Sequence, residues 1–105
     1  MKPTPGRMNK WESEHARNLT LLLAAGEVAD FCFERFRLEL ADACTYTPDF
    51  LSALPGGAFV ADEIKGFCRD DALVKLKTAA RLYPRITFNL WTRSGKRWLC
   101  REMPR

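Results

Sequence analysis

The chain has 105 residues, 47% of them hydrophobic, enough for one core and not for two domains; a domain of this size buries roughly two-thirds of the surface its unfolded chain exposes. Lys and Arg number 17 against 13 Asp and Glu, a formal net charge of +4, which suits a polyanionic partner without specifying one. No run of about 18 apolar residues offers a membrane span, and the polar stretch from Met1 to Asn9, with Pro3 and Pro5, lacks the apolar core of a signal peptide, so a cytoplasmic protein is expected.

Residues 1–8 read as a flexible tail and 9–105 as a single domain. A helix should begin at Asn9, a good N-cap with Glu12 three residues on, as in a capping box. Trp11, Ala16, Leu19, Leu22 and Leu23 fall within one broad helical arc, and Gly26 ends the helix. Phe31 and Phe33 then alternate with polar neighbours, while Phe36, Leu38 and Leu40 alternate in the opposite phase. The slip near Glu34 and Arg35 predicts a bulge, a sharp bend or two short strands.

Ala41 to Thr45 reads as a turn and Tyr46 to Leu51 as the next strand, distorted by Pro48, which a strand tolerates only at an edge or irregularity. Pro55-Gly56-Gly57 marks a turn, and Ala58 to Lys65 a further strand. Asp70 and Asp71 favour a helix start; Leu73, Leu76, Ala80 and Tyr83 recur at helical spacing until Pro84 stops them. Ile86, Phe88 and Leu90 alternate as a strand, Ser94-Gly95 forms a hairpin turn, and Arg97 to Arg101 returns as the last strand. The expected fold is α/β in the sense of a mixed α+β sheet with helices packed on it. It is too short for a Rossmann domain and has no Gly-rich phosphate loop.

Cys32, Cys44, Cys68 and Cys100 form no C-x-x-C pair, and His15 is far from all of them in sequence. The close ligand pairs of a zinc site are therefore missing, and four free, mostly buried thiols are expected. His15 lies in the apolar arc of its helix and reads as a packed histidine. Trp91 and Trp98 read as a cross-strand aromatic pair, with base stacking the alternative.

The chemistry concentrates at Asp49, Glu63 and Lys65. Residues two apart in a strand share a face, so Glu63 and Lys65 project together, and the disturbance at Pro48 can turn Asp49 toward the same spot. One or two carboxylates with water and phosphate are the usual ligands of Mg²⁺, and a lysine beside such an ion can orient water and stabilise developing charge. Phosphodiester hydrolysis needs these parts and neither cysteine nor histidine.

Tyr46-Thr47-Pro48-Asp49-Phe50, a Gly-Gly turn and Glu63-Ile64-Lys65-Gly66 together resemble the PD-(D/E)XK nuclease superfamily. The restriction-endonuclease-like core of that superfamily runs α-β-β-β-α-β, to which a C-terminal hairpin strand is added here. The chain is similar in particular to a small phage-encoded branch, largely a domain of unknown function. Members of that branch carry a first-helix Glu, an Ala-Gly-Glu helix ending, Tyr-x-x-Asp-Phe, Glu-x-Lys-Gly-Phe and a helix ending Tyr-Pro. Here these fall on Glu12, Ala25-Gly26-Glu27, Tyr46 to Phe50, Glu63 to Phe67 and Tyr83-Pro84.

The resemblance implies Asp49 and Glu63 as metal ligands, Lys65 as the water-positioning group and Mg²⁺ or Mn²⁺ as cofactor. It assigns the first-helix glutamate to Glu12, with Glu14 second; a role in the capping box alone is the alternative. Glu34 stands where the branch tends to have glutamine, a departure that either adds a ligand or faces solvent. Lys75 and Lys77 match a Lys-x-Lys of the second helix, and together with Arg35 and Arg69 are the candidate contacts to nucleic acid. The implied activity is Mg-dependent endonucleolytic cleavage of DNA, including branched or junction DNA, since phage Holliday-junction resolvases use this fold. Symmetric cutting of two strands by so small a chain implies a homodimer. The alternative is a catalytically silent nuclease fold that binds DNA or a host protein, and divalent-metal binding separates the two.

Overall fold

Asn9 caps the first helix as its sequence requires. Its side chain accepts from the Glu12 N–H, and its own N–H donates to Glu12 Oε1, both at 2.8 Å. In the computed structural model, which describes residues 7–66 and 70–105, this helix is α1 (Lys10–Ala24). It ends with Gly26 at φ +79°, the Gly26 N–H bonded to Leu23 O and the Glu27 N–H to Leu22 O. That is the paired bonding of a left-handed C-terminal glycine.

Five strands form the main sheet, in the order β1 (Asp30–Phe33), β4 (Phe50–Ala53), β5 (Phe59–Lys65), β6 (Ile86–Ser94) and β7 (Arg97–Glu102). β1, β4 and β5 run antiparallel in turn, β5 and β6 are parallel, and β7 returns antiparallel along β6. The parallel pair needs a crossover, supplied by α2 (Asp70–Leu82). β2 (Leu38–Ala41) and β3 (Cys44–Tyr46) form a separate two-stranded sheet inserted between β1 and β4.

Strand alternation divides the core in two. On one face Phe50 and Ile64 pack with Leu19 of α1 and with Val28. On the other, Ala61, Phe88 and Leu90 pack with Leu76, Ala79 and Ala80 of α2 and with Met103. The β2–β3 hairpin covers this second face: Tyr46 joins the core, Leu38 and Leu40 pack against it, and the Tyr83 hydroxyl donates to the Glu39 carbonyl at 2.7 Å.

The phase slip after Phe33 is a break between two short strands, one of the expected outcomes, with β1 and β2 in different sheets and Glu34 at φ 51°. Other expectations need correction. The turn expected over Ala41 to Thr45 shrinks to Asp42-Ala43, with Ala43 at φ 56°, and Cys44-Thr45 extends as β3. The strand expected from Tyr46 to Leu51 is two strands, because Pro48 cannot donate to a ladder and the chain leaves one sheet at Tyr46 and enters the other at Phe50. Trp91 and Trp98 are not directly opposed: Trp91 faces Cys100, and Trp98 faces Arg93. Among the described cysteines none is fully buried, and Cys100 is exposed; burial nonetheless pushes the Cys32 and Cys100 thiols up. Phe67, Cys68 and Arg69 lie outside the described residues. Among the described residues, no helix is long and apolar enough to cross a membrane.

Candidate metal centre

Four chain breaks meet at one end of the sheet. The first turn of α1 supplies Glu12, the link from β1 to β2 supplies Glu34, the link from β3 to β4 supplies Asp49, and the end of β5 supplies Lys65. They line an open cleft of about 470 Å³ together with Asp71 and Ala72, the first turn of α2. The two links are tied where they cross by the Glu34 N–H, which donates to the Asp49 carbonyl at 2.9 Å. Gly66 closes β5 at the cleft floor, where a Cβ would fall inside the indole of Trp11. Only glycine admits so close an approach of α1 to the strand end.

One oxygen from each of Glu12, Glu34 and Asp49 lies within 4.8 Å of the other two. Glu12 and Asp49 are buried, and Glu34 is exposed at the cleft edge. Asp49 is aimed by its backbone neighbour across the sheet end, since its Oδ2 accepts from the Ile64 N–H at 2.8 Å. Glu63 sits just behind this group with both oxygens engaged. Oε1 accepts from the Tyr46 hydroxyl at 2.6 Å, and Oε2 pairs with the Lys65 ammonium at 3.0 Å.

The electrostatics follow from the crowding of acids. Burial, then the Glu63 and Glu12 carboxylates, push Asp49 up to about 8, against the Ile64 N–H and Lys65, which favour its anion. Burial also raises Glu12, opposed by its capping bond to the Asn9 N–H and reinforced by Glu34. Burial disfavours the Lys65 ammonium, but Glu63, Asp49 and Glu12 more than offset it, and Lys65 stands above its ordinary value as a fixed cation. Burial and the Glu63 carboxylate raise Tyr46, which stays a neutral donor.

No family model, curated protein or solved structure matches this chain.

Of the residues singled out in the sequence, Glu12, Asp49, Glu63 and Lys65 are brought together. Glu34 joins them: oxygens of Glu12, Glu34 and Asp49 converge, while Glu63 beside them is bonded to the Tyr46 hydroxyl and the Lys65 ammonium. The signal for Glu34 was the phase slip itself, which marks where the chain turns out of the sheet. Glu14 points elsewhere, accepting from Arg93 Nη1 at 3.2 Å and Trp98 Nε1 at 3.1 Å. Glu12 both caps its helix and lines the cleft.

Neither helix lysine lines the cleft. Lys75 Nζ reaches the Thr45 carbonyl at 3.5 Å, and Lys77 lies with Arg81 and Arg105 at the far end of α2. Arg35 borders a separate groove with Phe36 and Phe59.

Proposed function

We propose that this chain is a divalent-metal-dependent endonuclease that hydrolyses phosphodiester bonds in DNA, branched or junction DNA included, with a homodimer as the working form. The observation that carries this reading is the convergence of Glu12, Glu34 and Asp49 beside a fixed Lys65 cation. The element order supports it: with the β2–β3 hairpin set aside, α1-β1-β4-β5-α2-β6 repeats the α-β-β-β-α-β order implied by the resemblance.

The donor set suits a hard divalent cation. It offers only carboxylate oxygens, the chemistry of Mg²⁺ and Mn²⁺ sites, and burial together with the Glu63 and Glu12 carboxylates holds Asp49 up to about 8, a crowding that a bound cation would relieve. Glu12, Glu34 and Asp49 would hold the ion, which when bound polarises a phosphoryl oxygen and lowers the pKa of an attacking water.

The remaining roles belong to the chain. Lys65 lies in the cleft as a full positive charge, placed to orient the water and to stabilise charge developing on the phosphate. Glu63 keeps that ammonium in position, and the Tyr46 hydroxyl fixes Glu63 from behind. The first turns of α1 and α2 both line the cleft, and their N-terminal fields favour a phosphate there.

The test is cleavage of labelled duplex, single-stranded and four-way-junction DNA, with single-stranded RNA alongside, in Mg²⁺ or Mn²⁺ against EDTA. Metal-dependent cutting, weakened about 10²-fold or more in Lys65→Ala, is expected. Absence of cutting together with absence of metal binding overturns the proposal.

The division between Glu34 and Glu63 gives a second expected outcome. In calorimetric titrations with Mn²⁺, Glu34→Gln should weaken binding more than Glu63→Gln. The latter should cost no more than the roughly 10–100-fold typical of an outer partner. The reverse order would return Glu63 to the metal and leave Glu34 at the rim.

A further inference from the structure

On the α2 side of the sheet, α2 and the β2–β3 hairpin pack over Ala61, Phe88 and Leu90. They leave the β1–β4 edge open. A groove of about 390 Å³ runs there over Cys32, Leu51 and Ala53, between Phe36 and Phe59. Phe36, Phe59 and Leu51 also line an adjoining hollow of about 180 Å³, completed by Leu38, Pro48 and Ile86 and wholly apolar.

Phe36 is 51% exposed and Phe59 44%, and neither ring belongs to either core cluster. Single apolar side chains on a surface are ordinary. Two aromatic rings over one groove mark a place that another surface covers.

The charges at the groove select the occupant. They are Asp30, which opens β1, and Arg35, two residues past its end. Both are exposed, and among the described residues neither enters an ion pair within the chain. Opposite charges at the two ends of one strand, with an apolar floor between them, make a surface complementary to itself. A two-fold axis through the middle of β1 lays groove on groove and sets each Asp30 against the Arg35 of the other copy, twice per dimer.

Contact through the face is favoured over pairing at the strand edge. The Phe31 N–H donates to the Asp30 carboxylate at 2.9 Å, so β1 offers one donor fewer to an added strand.

We infer that this groove is the contact surface between two copies of the chain, with Phe36, Phe59 and Leu51 at its apolar centre and reciprocal Asp30–Arg35 pairs at its rim. The inference rests on the homodimer of the proposed function and assigns its surface; it requires neither metal nor DNA.

The test is sedimentation equilibrium of the whole chain in EDTA, over roughly a hundredfold range of protomer concentration. A monomer–dimer equilibrium is expected. Phe36→Ser should weaken the dimer about tenfold or more, the scale of an aromatic anchor, without opening either core. Arg35→Asp and Asp30→Lys should each weaken self-association by about the same factor, because each sets like charges opposite one another. An equimolar mixture of these two variants should form a heterodimer about as tight as the parent dimer, a rescue that altered folding would not give.

A chain that stays monomeric throughout, a dimer indifferent to Phe36→Ser, or a mixture no tighter than its components would each overturn the proposal. Metal-dependent cutting by a monomer would leave the nuclease in place without this surface. A dimer that behaves as described but does not cut DNA would do the reverse.

Discussion

Asp49→Asn should cut metal-dependent cleavage severely while making the metal-free protein harder to unfold at pH 8 than its parent. The amide keeps the shape of the side chain and an oxygen for the Ile64 N–H, but carries no charge into the crowd around Glu63 and Glu12. The sign follows from linkage. Asp49 has an ordinary pKa of about 4 when unfolded and is pushed up to about 8 in the fold. The folded state thus binds the proton more tightly, and the stability this contributes is fully present below about pH 4 and lost as pH rises toward 8.

The asparagine variant escapes that loss. In EDTA, its thermal midpoint should gain on the parent's progressively between pH 5 and pH 8. Mg²⁺ should raise the parent's midpoint more at pH 8 than at pH 6, and the variant's hardly at all. Activity should fall on the order of 10³-fold, the scale of several kcal/mol of transition-state stabilisation. Parent and variant midpoints that run parallel across this pH range would show that the carboxylates are not crowded as described.

Phe50→Ala is expected to cost about 3–5 kcal/mol, the range for truncating a buried phenylalanine, read as a lower urea midpoint with an unchanged slope. Phe50 is fully buried, and its ring centroid lies 5.1 Å from those of His15 and Phe33 and 6.4 Å from that of Phe31. The truncation would open a hole between α1 and β4. A domain of this size has a total stability of only about 5–15 kcal/mol, so much of the margin would go. Phe50→Leu, which keeps most of the volume, should lose markedly less. A loss under about 1 kcal/mol for the alanine variant would mean that this aromatic cluster is not close-packed.

The elements that local physics writes plainly were legible in the sequence. The capping box at Asn9 and Glu12, Gly26 after the helix, the strand up to Lys65 and the alternation of Ile86, Phe88 and Leu90 all appear where their residues place them. What the sequence concealed was tertiary. Alternation shows that the phase changes after Phe33, but not that the chain leaves one sheet for another. Pro48 shows a disturbance, but not that β3 and β4 belong to different sheets.

The centre was legible to the same depth. Asp49, Glu63, Lys65 and Glu12 were visible as residue types at meaningful spacings. The approach of Glu34 to Glu12 and Asp49, and the bond from the Tyr46 hydroxyl to Glu63, were not, because both depend on where the inserted hairpin lies.

The hairpin also bears on how the chain reaches its fold. β1 must pair with β4 across everything from Glu34 to Asp49, and bringing the ends of such a loop together costs more entropy the longer the loop. β2 and β3 pair locally, across a turn at Asp42-Ala43. Once they have formed, the slack between β1 and β4 shrinks to the short links that hold Glu34 and Asp49. The local hairpin should therefore form first and the sheet close after it, so that residues brought together at the neck become neighbours only late in folding.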